Sequence, residues 1–131
     1  MIDMTDLSLM GIEKIWQDWE SKQFTFNRID EKRIEISTTI LDAFSNSISF
    51  YLDENAGIFS LTDLGSTFDE IQENTSFSID PTPIIRKIAQ KYEIEFNNSI
   101  LKIDNISINN LAPAIRDFVF LIRDAILLSV N

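Results

Sequence analysis

Glu35, Asp42, Asp53 and Asp63 are the side chains whose type and placement best suit chemistry in this chain. Asp63 is expected to end a strand just before Gly65 and a helix N-terminus, a common position for a catalytic acid. With Asp42, Asp53 or Glu35 it would offer oxygen ligands to a divalent cation. A helix that starts after a glycine also offers backbone N–H groups to an anion. The competing reading is that Asp63 orders the strand-to-helix turn and that Gly65 supplies a positive φ. No second carboxylate stands at a recognisable loop-ligand spacing from Asp63, which favours the turn. A metal-dependent nuclease would want a lysine beside its acids to stabilise charge on the scissile phosphate. Between Ile34 and Ile85 there is neither lysine nor arginine. The chain has no cysteine and no histidine. Thiolate nucleophiles, disulfides, Ser-His triads and the usual zinc ligands are therefore excluded. No catalytic residue, metal site or cofactor is expected, and the chain reads as a non-enzyme.

The same stretch holds nine carboxylates: Glu35, Asp42, Asp53, Glu54, Asp63, Asp69, Glu70, Glu73 and Asp80. With no base among them, they supply nine of the ten excess negative charges of the protein. Carboxylates held on a rigid sheet can occupy the basic groove of a nucleic-acid-binding enzyme and exclude its ligand. Glu35, Asp42, Asp53, Glu54, Asp63, Asp69, Glu70 and Glu73 are the residues expected to form such a partner-binding surface. The density is modest, about one acid per six residues against one charge per roughly 1.7 Å of duplex DNA. A merely solubilising acidic surface is the competing reading. A net charge of −10 opposes direct attraction to nucleic acid or to an anionic membrane.

The elements that position these residues follow from hydrophobic period. A length of 131 residues and 44% hydrophobic content suit a single globular domain spanning residues 1–131. Ile12, Ile15, Trp16 and Trp19 recur at helical spacing, so roughly Leu7 to Ser21 is predicted as an amphipathic helix with Asp6 as its N-cap. The period then shortens to two. Phe24/Phe26, Ile34/Ile36, Ile48/Phe50/Leu52 and Phe59/Leu61 predict four strands joined by short polar turns, hence an antiparallel meander. Ser66 is expected to cap a short helix over 66–74, with Phe68 and Ile71 facing the core. Asp80-Pro81-Thr82-Pro83 signals a second helix start, over 83–92. Ile94/Phe96 and Leu101/Ile103 flank Asn97-Asn98, a hairpin signal because asparagine accepts positive φ. A last helix is expected from about Asn110 to Ser129, with Pro113 in its first turn. The fold class is α+β: an N-terminal helix, an antiparallel meander, then helices with a β-hairpin and an apolar C-terminal helix.

Two of these elements suggest contacts. The charges of the last helix, Arg116/Asp117 and Arg123/Asp124, repeat every seven residues, leaving most of its surface apolar. Such a helix is either central to the fold or shared with a second copy in a homodimer. The same four charges interrupt the apolar run from Leu111 to Val130, so no transmembrane helix is expected. Asp3 and Asp6 stand where a secretory signal would carry positive charge, which points to a cytoplasmic protein. The helix over 83–92 holds Arg86, Lys87 and Lys91. Together with the preceding helix and the following hairpin it would make a winged-helix DNA reader. Three bases next to an acidic surface give few phosphate contacts.

The segments Ile36-Ser37-Thr38-Thr39-Ile40-Leu41-Asp42, Ile48-Ser49-Phe50-Tyr51-Leu52 and Ser60-Leu61-Thr62-Asp63-Leu64-Gly65-Ser66-Thr67 resemble the bacterial and phage domain of unknown function 1828 family. In that family a strand pair opens with a Thr-Pro step and a later strand ends in an Asp-Gly-type turn before a helix. Here Thr39 takes the place of the proline, and Leu64 that of a common second acid. The later helix, hairpin and apolar last helix are similar in order. The resemblance implies no activity. It implies a prokaryotic, phage or mobile-element setting, and with it an accessory or counter-defence role. The chain is thus expected to be an acidic, non-catalytic inhibitor or adaptor that binds a host protein, with a nucleic-acid-binding enzyme as the natural target. A winged-helix DNA-binding regulator is the alternative, and a metal-dependent nuclease-like enzyme the second alternative.

Overall fold

The period-two pattern of residues 24–62 folds as the expected meander. Strands β1 (Phe24–Arg28), β2 (Arg33–Leu41), β3 (Ser47–Asn55) and β4 (Ile58–Thr62) pair antiparallel in sequence order. The computed structural model describes residues 8–75 and 80–130. It places α1 (Leu9–Glu20) before the meander, and α2 (Ser66–Asn74), α3 (Thr82–Lys91), β5 (Glu95–Asn97), β6 (Ile100–Ile106) and α4 (Ile108–Ser129) after it. The fold class is α+β. Asp6 lies outside the described residues, and the N-cap of α1 is Ser8, whose hydroxyl accepts the Gly11 amide at 3.1 Å.

The hairpin β5–β6 does not stand free. β6 pairs antiparallel with β4, completing a six-stranded sheet of order β1-β2-β3-β4-β6-β5. Its two-residue turn is Asn98-Ser99, one position later than expected, and both residues have positive φ. The turn between β3 and β4 is likewise confined to Ala56-Gly57, again with both φ positive.

Cross-strand partners share a face, so the register sorts the sheet. Phe50 faces Ile36, Leu52 faces Leu61, and Leu61 faces Ile103. These residues form the inner face, which α4 covers over β3, β4 and β6 while α2 and α3 pack on α4. Phe118 of α4 stacks on Phe50 with ring centroids 4.9 Å apart. Phe118, Val119, Leu121, Ile122, Ala125 and Ile126 are all buried, so α4 is a central core helix. It begins at Ile108, which moves Pro113 from the expected first turn into the second. No helix among the described residues is long and apolar enough to cross a membrane.

Within β2, Ser37 faces Ser49 and Leu41 faces Ser47, so Thr38, Thr39 and Ile40 oppose Ile48 alone. The buried Thr38 closes this bulge: its hydroxyl donates to Ile48 O at 2.7 Å and accepts the Ile40 amide at 3.2 Å. Thr39 donates its N–H to Gln23 O at 2.9 Å. A proline has no such donor.

Candidate functional site

α1 is amphipathic by sequence, yet it has no buried residue, unlike every other helix described. Leu9, Ile12, Ile15, Trp16 and Trp19 fall on one stripe of about 120° at 100° per residue. All five are exposed, Trp16 by 56% and Trp19 by 53%. The two indoles lie against each other with centroids 5.0 Å apart. The helix is nevertheless held in place at its exit. Gln23 donates its side-chain amide to Trp19 O at 2.8 Å, Lys22 N bonds Trp19 O at 3.1 Å, and the Gln23 side chain also accepts from the Thr39 hydroxyl. A tethered helix therefore presents an apolar ridge to solvent. Monomeric proteins seldom leave a contiguous patch of this size uncovered.

Of the acids expected to share a surface, Asp42, Glu70 and Glu73 come together beside the β2–β3 turn, and the others are dispersed. Glu35 and Asp53 lie on the outer face of the sheet, opposite Tyr51 and Arg33 respectively. Asp69, Glu70 and Glu73 ride on α2, beyond the inner face, and Glu54 sits at the end of β3. Asp42 and Asp63 are not on the surface at all, being 7% and 1% exposed. Burial costs an ionised carboxylate several kcal/mol unless donors surround it, and each of these two acids accepts buried or part-buried backbone amides.

Asp63 shows how. Its Oδ1 accepts Gly65 N at 2.8 Å and Leu101 N at 3.0 Å, and its Oδ2 accepts Thr67 N at 3.3 Å. One carboxylate thereby joins the end of β4, the start of α2 and β6. The N–H groups of Gly65, Ser66 and Thr67 at the start of α2 are consequently occupied. Gly65, not Ser66, is the N-cap, with φ +88°. Burial pushes the Asp63 pKa up, and the amide donors oppose that shift. Asp42 organises the β2–β3 turn in the same manner, accepting Phe44 N at 2.8 Å and Asn46 N at 3.1 Å.

Two of the remaining acids, Asp53 and Glu70, have partners of their own. Arg33 makes two bonds to Asp53, 2.7 and 2.8 Å, and holds that carboxyl below its ordinary range. Glu70 accepts Asn46 Nδ2 at 2.6 Å, and burial together with Asp42 and Glu73 raises its pKa to about 7. A shallow concavity of about 390 Å³ on the sheet is lined by Asp53, Ser60 and Asp104, but Asp104 is ion-paired to Lys102 at 3.4 Å. Among the described residues no three potential ligand side chains converge as a metal site would require.

Arg86, Lys87 and Lys91 are exposed on α3, whose buried face is Ile85, Ile88 and Ala89. They are the solvated side of an amphipathic helix. The hairpin that would serve as the wing is instead stitched into the sheet by β6.

No protein-family model, curated protein or solved structure matches this chain.

Proposed function

We propose that this chain is a non-catalytic protein-binding module that docks through the apolar stripe of α1. The observation that carries this reading is a tethered helix with Leu9, Ile12, Ile15, Trp16 and Trp19 all exposed. Tryptophans are the residues most enriched among the energetic centres of protein interfaces. The acids that remain on the surface, Glu54, Asp69 and Glu73, would act at longer range by steering a basic partner. A nucleic-acid-binding host enzyme in the cytoplasm fits that chemistry. The resemblance of residues 36–67 to the domain of unknown function 1828 family supports a phage or mobile-element accessory role.

Affinity capture from the host or infected cell tests the reading. Three baits are compared: the native protein, Trp16→Glu/Trp19→Glu, and Glu54→Gln/Asp69→Asn/Glu73→Gln. The expected result is loss of the captured protein with the tryptophan variant and only weaker, salt-sensitive capture with the acid variant. Capture that ignores α1 but disappears with the acid variant would restore the acidic surface as the working one.

A further inference from the structure

The inner face of the sheet is not covered along its whole width. α4 packs on β3, β4 and β6. Beyond them, Phe24 and Phe26 of β1 continue the same face, since they are cross-strand partners of Thr38 and Ile36. Phe26 is 58% exposed, and Phe24 and Ile34 are half-buried. An apolar step is thus left open at the β1 end among the described residues, in the same chain that holds an exposed apolar helix stripe just before β1.

We infer that the occupant of both surfaces in the isolated protein is a second copy of this chain, α1 of each protomer lying on the Phe24–Phe26–Ile34 step of its partner. This rests on the reading of α1 as a docking surface and names what docks. Two observations support it. Donor and acceptor are both apolar and reside in one chain, so a two-fold axis would satisfy both pairs at once. The exposed apolar side chains of α1 amount to roughly 700 Å², close to the roughly 800 Å² per partner of a stable interface.

Sedimentation equilibrium and directed disulfide trapping test the inference in the full chain. The native protein is expected to sediment at twice its 15.1 kDa mass at micromolar concentration. Trp16→Glu should raise the dissociation constant by at least about thirty-fold, as for a central interface tryptophan, with an unchanged circular dichroism spectrum. Because the chain lacks cysteine, a protomer with Ile12→Cys can be mixed with one carrying Phe26→Cys. A disulfide between the unlike protomers supports the exchange. A native protein that stays at single-chain mass overturns it, as does a dimer indifferent to Trp16→Glu or one that traps only like protomers. A monomer whose Trp16→Glu/Trp19→Glu form still loses its cellular partner would sink the dimer and leave the proposed function standing. A proven dimer whose cellular capture ignores α1 would do the reverse.

Discussion

Arg33 and Asp53 face each other across β2 and β3, with the guanidinium fork closed on both carboxylate oxygens at 2.7 and 2.8 Å. The pair is about one-third exposed on each side, and it neutralises the acid at the end of an otherwise acidic meander. Arg33→Ala should therefore cost about 1 kcal/mol at neutral pH, the upper end for a screened ion pair with bidentate geometry. Its partner holds the Asp53 pKa below the ordinary carboxylate value of 3.8. The contribution is thus present above that value and is lost as pH falls through the lowered one. Urea unfolding at pH 7 and in strong acid, on native protein and Arg33→Ala, should show the difference shrinking in acid.

Asp63 gives a larger effect. Asp63→Ala would strip the acceptor from three backbone amides buried between β4, α2 and β6. The expected loss is about 2–4 kcal/mol, from the cost of leaving buried donors unsatisfied. A catalytic acid of the kind first suggested by its position would behave differently, since its removal commonly leaves stability unharmed. Chemical denaturation distinguishes the two.

That contrast also marks what the sequence made legible. Period two over Phe24 to Leu61, the helix over 66–74 and the proline-marked start of α3 are local signals, and each was readable. The N-cap of α3 is Pro81 and not Asp80, whose carboxylate accepts Thr82 N at 3.0 Å from one residue further out. The pairing of Arg33 with Asp53 was hidden because it depends on register, and Arg33 lies just outside the base-free stretch. The turn-ordering role of Asp63 is legible from its place before Gly65, but composition does not record burial, so Asp42 and Asp63 also count as surface charge in the sequence. Sequence separation concealed the joining of β6 to β4, which turns a supposed wing into part of the sheet. The stripe of α1 was legible, but amphipathicity alone does not say whether a helix faces its own core.

Glu70 should give the protein an unusual pH profile. Burial first, then the hydrogen bond and charge of Asp42 and the charge of Glu73, raise its pKa to about 7 from an ordinary 4.5. The folded state therefore holds a proton that the unfolded chain has released. Stability from this group is full below about 4.5 and is lost as pH rises toward 7. Glu70→Gln keeps an acceptor for Asn46 and should stabilise the protein at pH 8 by about 0.5–1 kcal/mol after solvent screening. Thermal melts from pH 5 to 8, a range that brackets the titration, should lose this slope in the variant.

Gly65 has φ +88°, and an added Cβ would stand 3.4 Å from Ser99 O. Gly65→Ala should destabilise by about 1–2 kcal/mol, mostly from the left-handed backbone. Gly57, at φ +80° with open space around it, should show the backbone part alone, and the difference in denaturation midpoint measures the crowding at Ser99.

The docking role of α1 can be read from its own side chains, because Trp16 and Trp19 are the only tryptophans in the chain. Intrinsic fluorescence with acrylamide quenching, followed across protein concentration, reports on α1 and nothing else among the indoles. The expected result is the emission of a hydrated, readily quenched indole at high dilution. As concentration rises, it should shift to shorter wavelength with loss of quenching, in step with sedimenting mass. Emission that stays hydrated and fully quenchable at every concentration, and in the presence of any captured partner, would contradict the claim that this helix is a docking surface.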